Sequence, residues 1–212
     1  MAVVHFLHRG WENNNMTADI NNYIMPLFRR MGDVRSFAGT TFCIENYLVT
    51  AGHVLTTDAT YYVLNGDNWH ALDHAQWIPQ QLPISDKHGV DVAFFPVPGL
   101  RSPLTMAQDN VKPNDSLDVV CWQFKPWGLT QVSTQCLVLK EPDEEGYLRI
   151  ATVDRITHGS SGCPVMRHGK VYGILTMGRD MVDSTGMTAL KRQMEENTCW
   201  AFKTEYAMRF LR

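Results

Sequence analysis

Apolar residues in this chain fall in short runs, many of them alternating with polar ones, and Gly, Pro, Asn and Asp break the runs apart. Such a pattern predicts β-strands rather than long amphipathic helices. In the first half strands are expected at residues 34–43, 47–50, 60–64, 68–72 and 90–97. In the second half they are expected at 117–124, 129–139, 148–153, 164–167, 171–177 and 198–202. Asn65-Gly66 reads as the centre of a tight hairpin with positive φ at both positions, and His168-Gly169 reads as a second hairpin. The polar, Pro-containing stretch 98–114 reads as a linker between two β units. Helical signals are confined to three places. Thr17 would cap a short helix that puts Ile20, Tyr23, Ile24, Leu27 and Phe28 on one face, although Pro26 interrupts it. Residues 184–197 are rich in helix formers, and Thr204 would cap a terminal helix carrying Tyr206, Met208, Phe210 and Leu211. The pattern implies an all-β chain, either sandwich or barrel.

Composition narrows the class. With 212 residues and 44% hydrophobic content, the chain is long enough for one packed unit or two small ones. A net charge of −3 disfavours a general binder of nucleic acid or anionic membrane. No apolar run approaches the length of a transmembrane helix. Met1-Ala2-Val3-Val4-His5-Phe6-Leu7 lacks the pattern of a secretory signal, so a cytoplasmic location is expected. The five cysteines, Cys43, Cys121, Cys136, Cys163 and Cys199, are odd in number and widely spaced. They are expected to be buried free thiols rather than a disulfide framework.

The candidate chemistry centres on Gly159-Ser160-Ser161-Gly162-Cys163-Pro164. A serine hydroxyl is a poor nucleophile unless a base takes its proton and donors await the oxyanion. Gly159 allows the turn that would aim its own N–H and that of Ser161 at one point. Gly162 and Pro164 would fix the exit from the loop. His53 follows the apolar run Tyr47-Leu48-Val49-Thr50-Ala51-Gly52, and Asp91 opens Asp91-Val92-Ala93-Phe94-Phe95-Pro96-Val97. These would be the base and the acid that orients it. Only neutral imidazole accepts a proton, so activity is expected to rise with pH as His53 loses its charge.

Ala51-Gly52-His53 resembles the histidine motif of chymotrypsin-like peptidases, and Asp91-Val92-Ala93-Phe94 resembles their aspartate strand. Gly173-Ile174-Leu175-Thr176-Met177-Gly178 is similar to the strand lining their substrate cleft. Trp200-Ala201-Phe202-Lys203-Thr204-Glu205-Tyr206 looks like their last strand and terminal helix. The order His, Asp, Ser is also theirs. Separations of 38 residues from His53 to Asp91 and 70 from Asp91 to Ser161 resemble the compact, sobemovirus-like proteases of positive-strand RNA viruses. Those enzymes usually carry Thr five positions before the serine; here Ile156 stands there and Thr157 follows.

The resemblance implies two Greek-key β-barrels and a serine endopeptidase with the triad His53, Asp91 and Ser161. It implies an N-terminal extension over 1–31, a first barrel over 32–100, a linker over 101–115 and a second barrel with a terminal helix over 116–212. Gly159 and Ser161 would supply the oxyanion hole. Arg155, Ile156 and Thr157 on one side and Thr176, Met177 and Gly178 on the other would form the primary pocket. Arg155 would repel a cationic side chain if it lined that pocket; the alternative is that it faces solvent. An acidic, polar or medium apolar residue is therefore expected before the scissile bond. Cys43 resembles one half of the disulfide that secreted relatives place beside the histidine, but Val54 holds the other position.

The partner implied is a polypeptide, including a polyprotein of which the chain is part, with no organic cofactor, no nucleic acid and no membrane segment. Bacterial or phage quality control, and a catalytically silent binding module, are the alternative roles. Metal is not expected. His70 and His74 would share a face only on a helix, and Cys163 with His168 lacks further ligands. Cys163 as nucleophile is disfavoured because Ser161 holds the matching position.

Overall fold

The computed structural model describes residues 19–72, 91–142, 146–178 and 198–203. Among these residues thirteen strands build two curled sheets. The first contains β1 (Ile24–Met31), β2 (Val34–Ile44), β3 (Tyr47–Thr50), β4 (Thr60–Asn65), β5 (Asn68–Leu72) and β6 (Ala93–Pro96). Its spatial order is β5-β4-β1-β2-β3-β6. A three-strand meander flanked by the returning fourth strand is a Greek key.

The second sheet contains β7 (Thr105–Met106), β8 (Ser116–Lys125), β9 (Gly128–Lys140), β10 (Tyr147–Thr152), β11 (Pro164–Arg167), β12 (Lys170–Gly178) and β13 (Thr198–Lys203). Its order is β11-β8-β9-β10-β13-β12-β7, and β11 also pairs with β12. That extra pairing closes six strands into a barrel and removes the edges that an open sheet would expose. The β7 pair lies in the stretch read as linker and runs parallel to Lys170 and Val171.

Each barrel has its own core. Leu27, Leu48, Tyr61, Val63 and Phe95 fill the first; Leu117, Val119, Leu148, Ile150 and Val165 fill the second. A third cluster joins Phe42, Val49 and Phe94 from the first barrel to Val120, Met166 and Ile174 from the second.

Three sequence expectations need correction. Ile20–Tyr23 forms a single 3-10 turn capped by Asp19, and Ile24–Met31 is a strand paired with β2 and β4, not the continuation of a helix. Periodicity does not separate a short buried strand from a helix, and Pro26 would have cost the helix a hydrogen bond. Residues 24–31 thus belong to the first sheet and are not an extension before it. The β4–β5 turn is centred on Gly66-Asp67, because Asn65 pairs with Asn68, and only Gly66 has positive φ, at 56°. The His168-Gly169 turn forms as expected, with φ of 51° and 76°. Thr17, the helix expected over 184–197 and the one capped by Thr204 lie outside the described residues. No helix among the described residues is long and apolar enough to cross a membrane.

Candidate active site

Strand register brings the base and the acid together. Thr50, the end of β3, pairs with Ala93, the start of β6. Two residues further along each antiparallel strand lie Gly52 and Asp91, so the carboxylate arrives beside the 3-10 turn Gly52–Val54 that carries His53. Asp91 grips the histidine twice. Oδ1 accepts the His53 backbone N–H at 2.7 Å, and Oδ2 lies 2.7 Å from Nδ1. The other ring nitrogen, Nε2, lies 3.0 Å from Oγ of Ser161. The His53 side chain is 35% exposed and that of Asp91 18%, so the imidazole is the more open of the two.

The serine reaches this point from the second barrel, on the loop that leads into β11. Gly159 and Gly162 carry φ of 97° and 88°, values that side chains other than glycine rarely adopt. Neither position has room for a side chain. A Cβ on Gly159 would collide with the Phe37 ring, and one on Gly162 with the Thr40 carbonyl and the Thr50 hydroxyl. The loop is bound to the first barrel through Thr40. Its N–H donates to the Ser161 carbonyl and its hydroxyl to the Gly159 carbonyl, both at 2.9 Å. The same hydroxyl accepts the Trp122 N–H at 2.9 Å.

Ser160 and Ser161 have separate jobs. Ser160 is 1% exposed; its hydroxyl donates to the Thr157 carbonyl and accepts from Gln123 Nε2, both at 2.9 Å. It braces the loop from within. The N–H groups of Gly159 and Ser161 make no hydrogen bond to the protein among the described residues, which leaves them available to an anion.

Beneath the loop Cys163 is fully buried, and burial raises its thiol well above the ordinary range. Hydrogen bonding from Cys163, Ser160 and Gln123 lowers Cys121 instead. All five cysteines are free and buried. An inert thiol packed in the core is no rival to Ser161 as nucleophile.

The remaining sequence-selected residues divide. Thr157 lines the cleft with His53 and Ser161, whereas Ile156 packs against the second core and Arg155 is exposed. Thr176 is buried. The backbones of Met177 and Gly178 pair with Trp200 and Cys199, while the β11–β12 ladder stops at Ile174. Among the described residues no group of three or more His, Cys, Asp or Glu could hold a metal; His74 lies outside them. Sequence reasoning missed Thr40, Gln123, Arg29, Phe37 and Phe124. Only Phe124, apolar at the end of a strand, carried any local signal.

The fold is that of the chymotrypsin-like serine proteases. The active form of the Rv3671c protease from M. tuberculosis is similar with a TM-score of 0.62 at 18% identity, over 91% of this chain and 80% of that one. Kallikrein-related peptidase 10 in complex with Zn2+ gives 0.62 at 15% identity, over 90% and 94%. The HtrA-type protease AlgW with a decapeptide gives 0.61 at 18% identity, over 89% of this chain and 62% of that one. No protein-family model matches the sequence, and no curated protein matches it.

Proposed function

We propose that the chain is a serine endopeptidase with Ser161 as nucleophile, His53 as base and Asp91 as the acid that orients the imidazole. The observation that carries this is the unbroken line from Asp91 Oδ2 to His53 Nδ1 at 2.7 Å and from His53 Nε2 to Ser161 Oγ at 3.0 Å. Oγ attacks the peptide carbonyl carbon as its proton passes to Nε2. The C–N bond then breaks, and the amine leaves with that proton. Water repeats the cycle on the acyl-serine, giving its proton to His53 and releasing the carboxylic acid. Free N–H groups at Gly159 and Ser161 suit the oxyanion of both tetrahedral intermediates. The Asp91 bond to Nδ1 holds the tautomer that leaves Nε2 free to accept.

On the acyl side an extended substrate would add a strand along residues 176–178. Residues 155–157 and 176–178 include no carboxylate, and the neighbouring Asp154 accepts the Thr134 hydroxyl at 2.9 Å. Poor cleavage after Arg or Lys follows, and a peptide-library profile dominated by either would overturn it. The five free, buried thiols suit a reducing compartment such as the cytoplasm. Processing of a viral polyprotein rests on the compactness of the chain, its free cysteines and the motif spacing. A bacterial peptidase role draws on the likeness to the Rv3671c and AlgW proteases.

A fluorophosphonate probe tests the central reading. Covalent labelling is expected at Ser161 and nowhere else. An unlabelled, folded protein would instead make this a protease fold used for binding.

A further inference from the structure

Four aromatic rings form an edge-to-face ladder that runs from β8 past the nucleophile loop onto β2, β1 and β5 of the first sheet. Phe124 meets Phe37 with centroids 5.4 Å apart and planes at 87°. Phe37 meets Phe28 at 5.8 Å, and Phe28 meets Trp69 at 4.7 Å. Rings at both ends are open to water, Phe124 at 62% exposure and Trp69 at 42%. A contiguous apolar strip left exposed marks a surface that binds something. Here the strip is continuous with the site, since Phe37 stands directly against Gly159.

The cleft itself has a volume of about 530 Å³. His53 and Ser161 lie in its wall together with Arg29, Phe37, Phe124 and Thr157, and Thr176, at the start of the acyl-side strand, takes no part in it. Because the acyl half of a substrate would run along 176–178, this cleft faces the leaving amine. Arg29 adds charge. Its Nε donates to the Ser36 hydroxyl at 3.3 Å, and it has no carboxylate partner among the described residues. A half-buried guanidinium with spare donors suits a carboxylate, which it can hold through two bonds.

We propose, on the reading of Ser161 as nucleophile, that this cleft binds the peptide segment following the scissile bond. A large apolar or aromatic side chain packs on Phe37 and Phe124, and a carboxylate in the same segment pairs with Arg29. Continuity with His53 and Ser161 argues for substrate as the occupant, and Arg29, with no carboxylate partner among the described residues, argues for an acidic one. These contacts act on acylation, because the segment departs with the amine before water attacks.

The test uses quenched fluorescent peptides with one fixed acyl half and varied residues after the scissile bond. Wild-type protein is expected to favour Phe or Leu over Ala there by about tenfold in kcat/KM. It is expected to favour Glu over Lys by about fivefold. Arg29→Glu should reverse the Glu/Lys ratio and Arg29→Lys should preserve it. Phe124→Ala, at an exposed position that folding tolerates, should bring the Phe/Ala ratio close to one. Wild-type protein that reacts with the fluorophosphonate at Ser161 yet cleaves all these peptides alike would overturn the subsite and leave the peptidase reading standing. Ratios unmoved by Arg29→Glu and Phe124→Ala would do the same. Failure of the wild-type protein to label would remove both.

Discussion

His53 and Asp91 leave the ends of adjacent strands in the first barrel, whereas Ser161 sits on a loop of the second barrel that needs two glycines of positive φ and a threonine from the other side. The interiors differ in the same sense. Leucine, valine and alanine dominate the first core, with Cys43 as its one cysteine among the described residues. The second core carries four cysteines, and the buried Gln123 donates to Ser160 inside the loop. Register suffices to place groups that stand two or three residues beyond the last pair of a ladder. A loop has no ladder, so polar bonds must hold it and they must be satisfied where they are buried.

The sharpest way to break this contrast is at its two tips. Ser161→Ala should abolish proteolysis, with turnover falling by about a millionfold, while the thermal transition is unchanged. Turnover left near wild-type would remove the nucleophile assignment. Asp91→Asn comes next. It keeps the shape but favours the wrong imidazole tautomer, so turnover should fall by about ten-thousandfold in a steady-state assay. A loss of only a few fold would mean that strand register, without the carboxylate charge, suffices to orient His53.

Thr40→Val probes the loop's dependence on the other barrel. It leaves the Gly159 carbonyl and the Trp122 N–H without the partner they share, at a cost of about 2 kcal/mol in a denaturant titration. The displaced loop should lower turnover by about a hundredfold. If stability falls and turnover does not, Thr40 supports the seam and not the serine. Cys163→Ala should cost about 1 kcal/mol of stability and leave turnover within about threefold of wild type. A dead Cys163→Ala beside a live Ser161→Ala would exchange their roles.

The smallest effect lies far from the site, in the first barrel. Burial lowers His70 below the ordinary imidazole range, so the unfolded chain takes up a proton more readily than the native one. Stability from this source is complete above about pH 6.5 and declines as pH falls through the lowered native value. Urea midpoints at pH 7.5 and pH 5.5 should show the decline, and His70→Gln should flatten it. A midpoint that rises on acidification would contradict the sign.

Much of this was legible in the chain itself. Alternation over 60–64 and 68–72, and the apolar run before His53, mark strands because side-chain direction repeats every two residues. Gly159 and Gly162 flank a serine because local backbone geometry is written in local residue type. The β1 strand was not legible as a strand, since Ile24, Leu27 and Phe28 satisfy a helical spacing as well. The Gly32-Asp33 dipeptide between Met31 and Val34 was the overlooked hairpin signal.

Sequence by itself determined the class of chemistry, because a serine between glycines, a histidine after an apolar run and an aspartate before one are local patterns. Tertiary structure alone decided which carbonyls Thr40 holds, and that Arg29, Phe37 and Phe124 share one cleft. Those three residues lie on β1, β2 and β8, and no short-range pattern links them. Their meeting depends on how two curled sheets pack across a seam, and that packing is fixed by contacts between residues far apart in the chain.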